Sequence, residues 1–157
     1  IKGFALLEDK SLTLVLTGKI ESGKRELDQL IADLGLSERV IFTGYIDQKL
    51  IFPLFALATL FCYISFDEGF GLPPLEAMAS GVPVVVTNCG SLPEICADAG
   101  TYVNPNDPKD IADRMQYLLA NQEIYQDKVS LGLERSKPYS WKMAAEKLID
   151  ICMQISD

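Results

Sequence analysis

Short apolar runs alternate along this chain with segments whose apolar residues recur every three or four positions. The runs cover Leu12–Thr17, Val40–Thr43, Leu60–Ile64, Pro83–Val86 and Thr101–Val103. Apolar runs of this length, without regular polar alternation, are typical of strands buried on both faces. The sequence therefore predicts five strands, of which the last is the weakest.

Helical spacing fills the intervals between the strands. The expected helices are the tail Ile1–Leu7, a stripe of Leu27, Leu30, Ile31 and Leu34 closed by Gly35, a helix capped by Asp47 with Leu50, Ile51, Leu54 and Phe55, and Pro73–Ser80 ended by Gly81. Pro53 lies inside the third pattern, so we expect that helix to kink or to begin later. Three more helices are expected to start at Asp107-Pro108, to cover Gln122–Leu133 and to start at the cap Ser140.

Strands that alternate with amphipathic helices indicate an α/β fold, with a Rossmann-like parallel sheet and helices on both faces. Such sheets bind ligands beyond the carboxyl ends of their strands. Glycine and polar residues collect at four of these ends, namely Gly18, Gly44, Ser65–Leu72 and Thr87–Gly90. We therefore expect the functional site at this edge.

Composition narrows the class of protein. The 157 residues suit one domain, and the net charge of −8 with no Lys/Arg cluster argues against nucleic-acid binding and against anionic lipid as the main contact. No apolar run approaches the roughly 20 residues of a membrane span, and no signal peptide is evident. The chain begins at Ile1 inside a helical pattern, so we expect a longer protein.

The four cysteines, Cys62, Cys89, Cys96 and Cys152, show no C-x-x-C spacing, and the chain has no histidine. A zinc site is therefore not expected. Free thiols are typical of a reducing compartment, which favours a cytoplasmic location.

The loop Ser65–Leu72 carries the most distinctive chemistry. Two glycines allow a sharp bend and a close approach to a ligand, and the following helix would direct its positive end at a diphosphate. Glu76, one turn into the helix, could accept hydrogen bonds from a ribose diol, and Glu68 from another polyol. The residues alone leave a second interpretation open, in which Glu68 is simply solvated and Glu76 complements the helix dipole.

The segment EGFGLPPLEAMASGVPVV, in which seven residues separate Glu68 from Glu76, resembles the E-x7-E signature of the family 4 glycosyltransferases. These are retaining enzymes of the GT-B fold. The likeness extends along nearly the whole chain, through LVLTGK, VIFTGYI and LPE to the Tyr139-Ser140-Trp141 start of the last helix. The resemblance implies that residues 1–157 are the donor-binding C-terminal half of such a fold.

The resemblance also implies roles for the loop. Glu76 would bind the ribose hydroxyls, and Glu68, as the catalytic residue, would orient the donor hexose and support the positive charge that develops on its ring. Glu68 is not implied to be a covalent nucleophile. Backbone amides would contact the sugar and distal phosphate from Gly69, Phe70, Gly71 and Leu72.

Two further loops receive weaker assignments from the same resemblance. Gly44, Tyr45 and Ile46 would lie near the base, and Gly18 near the nucleotide. Plain turns at strand ends remain an equal interpretation of Gly18 and Gly44.

The chain departs from the family pattern in several places. Asp67 stands where many relatives have an aromatic residue, and Ile64 where a proline often precedes the serine. The family's first strand and its Gly-Arg…Lys phosphate clamp are not in this sequence, and Lys19 is no evident replacement. We therefore expect that the domain lacks its first strand, and that the acceptor-binding N-terminal domain lies outside these residues.

The expected reaction is transfer of a hexose from a nucleoside diphosphate sugar, with GDP-mannose as the first choice of donor and a UDP-sugar as the other, to a glycan or lipid-linked acceptor. Anomeric configuration would be retained. The chain has no Asp-x-Asp pair, so neither a metal nor a cofactor is expected. The fragment alone would bind donor and transfer nothing.

Alternatives are a non-catalytic sugar-nucleotide-binding module, and an epimerase or phosphorylase on the same fold. The retained Glu68, Gly69, Gly71 and Glu76 count against the first. The apolar stripe that starts at Trp141 is expected to be a packing surface. In relatives, this last helix packs against the N-terminal domain. The fragment should then expose this helix face or dimerise through it, and the missing domain would provide any peripheral contact with the inner membrane.

Overall fold

The computed structural model describes residues 1–20 and 22–155, which contain five short strands, and each strand pairs in parallel with its neighbour. The strands are β1 (Leu14–Thr17), β2 (Val40–Gly44), β3 (Phe61–Tyr63), β4 (Val84–Thr87) and β5 (Gly100–Val103). The helices are α1 (Lys2–Ala5), α2 (Lys24–Asp33), α3 (Gln48–Leu57), α4 (Leu72–Ala79), α5 (Leu92–Cys96), α6 (Pro108–Ala120), α7 (Gln122–Ser136) and α8 (Trp141–Ile155). All five predicted strands are present, within three residues of the expected bounds.

The strands form two blocks of backbone pairing. In one block β1 pairs with β2, with Leu14 opposite Val40. In the other, β4 lies between β3 and β5, with Val84 opposite both Phe61 and Gly100. Within the described residues, no strand pairing joins the two blocks.

The central strand β4 supplies side chains to hydrophobic clusters on both faces of its sheet. Val84 and Val86 pack in a cluster with residues of α3, α4 and α5, whereas Val85 packs in a second cluster with residues of α1, α2 and α6. This alternation follows from the two-residue period of a strand. Helices therefore cover both faces of β3–β4–β5, as the apolar runs predict.

The two-stranded block is covered differently. Leu14 and Leu16 of β1 pack against the second cluster, but Val15 on the opposite face is 39% exposed and Ile41 of β2 is 50% exposed. Val15 and Ile41 mark a face of this block that the described residues leave open to solvent. The expected architecture of parallel strands flanked by helices is nonetheless present, with helices on both faces of the three-stranded block.

Helix ends agree closely with the capping signals in the sequence. Asp47 accepts a hydrogen bond from the Lys49 amide at 2.9 Å, and α3 continues through Pro53 instead of beginning later. Pro53 is exposed, so water can bond to the backbone carbonyl that has no amide partner. Ser140 accepts a bond from the Met143 amide at 3.1 Å and caps α8 as predicted. The helix α5 was not predicted, because five residues are too few to show a helical period.

The final helix α8 has no buried residue, and Trp141 at its start is 86% exposed. Apolar residues exposed along it include Leu148, Ile149, Met153 and Ile155. The expected exposure of an apolar helix face is confirmed. No helix in the described part of the chain is both long enough and apolar enough to span a membrane.

The cap of α6 provides a test of these local interactions. Asp107 accepts hydrogen bonds from the amides of Lys109 at 2.9 Å and Asp110 at 3.2 Å. Asp107→Ala should therefore lower the free energy of unfolding by about 1 kcal/mol, measured by urea denaturation. The neighbouring Asn106→Ala removes an exposed side chain without a capping bond and should change that free energy by less than about 0.5 kcal/mol. Equal effects of the two substitutions would contradict the capping role.

Candidate functional site

The segment that joins β3 to α4 bends at Gly71, which has a φ of +94° and immediately precedes the helix. This left-handed conformation is readily available only to glycine. A Cβ at Gly71 would also lie 3.0 Å from Cδ2 of Leu92, so the turn packs closely on α5. The glycine that the sequence placed at the sharp bend is therefore required there by both conformation and space.

The start of α4 has fewer amide donors than an ordinary helix. Helix starts normally present four unbonded N–H groups, but Pro73 and Pro74 occupy the first turn and have none. The remaining donors are the amides of Gly71 and Leu72, preceded by those of Gly69 and Phe70 in the loop. An anion at this position would therefore be bound by the glycine-rich turn together with the helix dipole.

The backbone of Glu68 lies directly against the loop that follows β4. The Ser91 amide donates a hydrogen bond to the Glu68 carbonyl at 3.3 Å, and the Ser91 hydroxyl donates to the same oxygen at 3.4 Å. Gly90 has a φ of +51°, and a Cβ there would lie only 2.3 Å from the Glu68 carbonyl oxygen. Only a residue without a side chain allows this approach.

The first residue of the loop, Ser65, is hydrogen-bonded to the end of β4 and to the loop that follows it. The carbonyl of Ser65 accepts hydrogen bonds from the Thr87 hydroxyl at 2.6 Å and from the Cys89 thiol at 3.2 Å. Thr87 is buried at the end of β4. Beside this contact lies an open cavity of about 370 Å³ at the carboxyl ends of β3, β4 and β5, lined in part by Ser65, Thr87 and Cys89. The loop therefore borders a crevice at the edge of the sheet where ligands were expected.

The carboxylate of Glu68 is hydrogen-bonded to a strand residue. The Tyr63 hydroxyl donates to Oε2 of Glu68 at 2.6 Å. That hydrogen bond, with partial burial and the negative charge of the carboxylate, raises the pKa of Tyr63 to about 12. The sequence pattern did not predict this partner. The available signal was a phenol within the apolar run Leu60–Ile64, since a buried hydroxyl usually has a hydrogen-bond partner.

Phe70 links the loop to the last part of the chain. Its ring meets the edge of Tyr139 with centroids 6.3 Å apart, and the Tyr139 oxygen accepts a hydrogen bond from Arg135 at 3.0 Å. Arg135 also donates to the Ile95 carbonyl at 3.0 Å. The residue that precedes the α8 cap is therefore in direct contact with the loop, a connection that the sequence pattern did not predict.

The other predicted site residues lie in different surroundings. Glu76 is half-buried on α4, one turn beyond the loop. Gly18 and Gly44 meet at the carboxyl ends of β1 and β2, where the Gly18 amide donates to the Gly44 carbonyl at 2.8 Å. Tyr45 is 86% exposed beside them, and Ile46 is half-buried. Across the described residues, no hydrogen bond joins this pair of turns to the Glu68 loop.

The charges of the loop are negative. Asp67 and Glu68 are adjacent, and Glu76 follows one turn into α4. Among the described residues, no hydrogen bond or ion pair joins Lys or Arg to the side chains of these acids. The same residues contain no group of three or more Cys, Asp or Glu side chains arranged to hold a metal ion.

Solved structures share this arrangement of strands and helices. HepE from Anabaena, in a crystal structure with UDP-glucose, superposes with a TM-score of 0.87 over 97% of this chain and 43% of HepE, at 24% identity. The parallel strands, the flanking helices and the loop at their carboxyl edge define an α/β domain of the GT-B type.

The chain belongs to the family of glycosyl transferases group 1, whose sequence pattern matches residues 1–130. It is 35% identical over 139 residues to the serotype-specific mannosyltransferase WbdA of Escherichia coli, covering 87% of this chain and 17% of WbdA. It is 39% identical over 109 residues to O-antigen chain mannosyltransferase B of the same species, covering 69% of this chain and 29% of that protein. The chain thus spans less than a third of the length of either relative.

The contact between Gly90 and Glu68 can be tested by comparing two glycines. Gly35 has a φ of +67° and open space around its Cα, so Gly35→Ala adds only conformational strain, about 1 kcal/mol. Gly90→Ala adds a collision with the Glu68 backbone and should lower the free energy of unfolding by roughly 2–4 kcal/mol in urea denaturation. Equal losses would show that the Gly90 approach is not a tight constraint.

Proposed function

We propose that this chain binds the donor in a transferase that moves a hexosyl group from a nucleoside diphosphate sugar to a glycan or lipid-linked acceptor with retention. The observation that carries the proposal is the glycine-rich turn between Glu68 and Glu76, which opens α4. It follows the Glu68 backbone, which Gly90 and Ser91 contact, and it belongs to the loop whose first residues, Ser65 and Phe66, line the crevice. Membership in the glycosyltransferase family supports it.

Each part of the loop suits one part of such a donor. The amides of Gly69–Leu72 and the positive end of α4 suit the diphosphate. The Glu76 carboxylate suits the vicinal ribose hydroxyls, and Glu68 suits hydroxyls of the hexose. The turns at Gly18 and Gly44–Ile46, on the neighbouring pair of strands, are assigned to the nucleotide and its base.

The proposed chemistry relies on orientation and electrostatics. Glu68 binds the hexose. The negative charge of the Glu68 carboxylate stabilises the positive charge that develops on the sugar ring as the bond to the diphosphate breaks. The departing diphosphate gains negative charge, which the α4 dipole and the turn amides stabilise. Glu68 is not assigned the role of a covalent nucleophile.

Mannose is the proposed sugar, and GDP-mannose the first candidate donor. The support comes from the two relatives named as mannosyltransferases, each more than 30% identical to this chain. UDP-sugars are the second candidate, since HepE was crystallised with UDP-glucose.

The rest of the site is proposed to come from residues outside this chain. The loop acids Asp67 and Glu68 have no basic partner among the described residues, whereas a diphosphate needs positive charge close by. A phosphate clamp, a further strand between the two blocks and an acceptor-binding domain would complete the enzyme. The separate pairing of β1–β2 and β3–β4–β5 and the small share of the relatives that the chain covers support this organisation. The chain alone is expected to bind donor and to transfer nothing.

The ribose assignment predicts a loss that does not depend on the sugar. Glu76→Ala removes two charge-assisted hydrogen bonds and should weaken binding of both nucleoside diphosphate and nucleotide sugar about ten- to a hundredfold, measured by calorimetry on the intact protein. Glu123→Ala is the matched control, because Glu123 is an exposed acid in the first turn of α7. An unchanged affinity in Glu76→Ala would overturn the ribose assignment.

The proposal also predicts independence from divalent metal. Transfer by the intact protein should proceed at the same rate after treatment with EDTA, because the helix dipole, turn amides and basic side chains stabilise the leaving diphosphate. A loss of transfer that added Mg²⁺ or Mn²⁺ restores would overturn this part of the mechanism.

A further inference from the structure

Tyr63 and Glu68 form a side-chain pair across the end of β3. The phenol hydroxyl donates to Oε2 of the carboxylate at 2.6 Å, which is a short, charge-assisted hydrogen bond. No other hydrogen bond to this carboxylate is found within the described part of the chain. Oε1 and the remaining lone pair of Oε2 are therefore free to accept bonds from a ligand.

The hydroxyl of Tyr63 is held in place by the core. Its ring stacks on Phe61 with centroids 6.0 Å apart, and Phe61 meets the buried Phe55 edge-on at 5.0 Å. Both aromatic contacts lie in the hydrophobic cluster that α3 and α4 form on β3 and β4. The position of the phenol oxygen is thus determined by packing that does not involve the loop.

The backbone of Glu68 is held from the other side by Ser91 and by the close approach of Gly90. A glutamate on a loop normally samples many rotamers, and ordering them on ligand binding costs entropy. With its backbone fixed at one end and Oε2 fixed at the other, Glu68 has little of that freedom left. The phenol keeps its proton across the neutral range, since its pKa is raised to about 12.

We propose that Tyr63 is a positioning residue for the donor sugar, because it fixes the Glu68 carboxylate in the orientation that receives the hexose hydroxyls. This role rests on the proposed function, in which Glu68 binds the hexose. Tyr63 acts through Glu68 and does not itself contact the donor. Its effect should therefore appear for ligands that carry the sugar and be absent for the nucleoside diphosphate alone.

The test is Tyr63→Phe in the intact protein, which retains the ring packing and removes only the hydroxyl. Calorimetry with GDP-mannose against GDP, and with UDP-glucose against UDP, separates the sugar contribution from the nucleotide contribution. We expect about tenfold weaker binding of the nucleotide sugar, while binding of the nucleoside diphosphate changes by less than about twofold. Equal weakening of both ligands, or no weakening of either, would overturn the role.

A double-mutant cycle gives a second, independent readout. In a Glu68→Ala background, Tyr63→Phe should cause no further loss of nucleotide-sugar affinity, because the carboxylate that it positions is gone. Additive losses would show that Tyr63 acts elsewhere. Tyr125→Phe is the matched control, because it too removes a single hydrogen-bonded tyrosine hydroxyl. The Tyr125 hydroxyl donates to the backbone carbonyl of Thr59, and its loss should leave the preference for the sugar unchanged.

Failure of this inference can be distinguished from failure of the proposed function. Wild-type protein that binds neither nucleotide sugar would overturn the donor-binding function, and the role of Tyr63 with it. If the wild-type protein binds one of the nucleotide sugars and the Tyr63→Phe variant binds it with the same affinity, only the role of Tyr63 is overturned. Urea denaturation of Tyr63→Phe should show a transition close to that of the wild type, which confirms that any loss of affinity is local.

Discussion

The backbone contact between Gly90 and Glu68 connects two loops that leave neighbouring parallel strands at the same edge. Parallel pairing of β3 with β4 brings the loops together, but the distance between them depends on the missing side chain of Gly90 and on its positive φ. Because Gly90 allows the approach, the Ser91 amide and hydroxyl both reach the Glu68 carbonyl. That contact fixes the backbone of Glu68, three residues before the turn at Gly71 and the start of α4.

Hydrogen-bond donors and acceptors occupy different positions between Glu68 and Glu76. The backbone amides of the glycine-rich turn are the donors, and the two carboxylates are the acceptors. Pro73 and Pro74 remove two of the amides that a helix start would present, so the glycine-rich turn must supply the donors that an anion needs. The acids on either side of it can only accept hydrogen bonds while they are ionised. Glu68 differs from an ordinary loop acid because Tyr63 already occupies one of its oxygens.

The strand β4, which ends beside the Glu68 loop, is packed on both faces, whereas other elements of the domain are partly exposed. Residues of β4 are almost fully buried and alternate between two hydrophobic clusters, so the strand is held from both faces. The neighbouring block of β1 and β2 is held from one face only, and α8 has no buried residue. Yet the start of α8 is connected to the site, because Tyr139 contacts Phe70 and is bonded to Arg135.

The sequence by itself determined the order of strands and helices, their caps at Asp47, Asp107 and Ser140, and the loop that carries the two glutamates. These features depend on apolar periodicity and on turn and cap chemistry, which act over a few neighbouring residues. The short helix α5 was not predicted, because its five residues are too few to show the periodicity of a helix. Only the tertiary structure decided that the strands pair in two blocks, that Gly90 touches Glu68 and that Tyr63 bonds to its carboxylate. Those contacts depend on which strand ends lie side by side, and they are made or lost by shifts of a few tenths of an ångström. Local patterns of residues determine neither the neighbouring strands nor such small shifts.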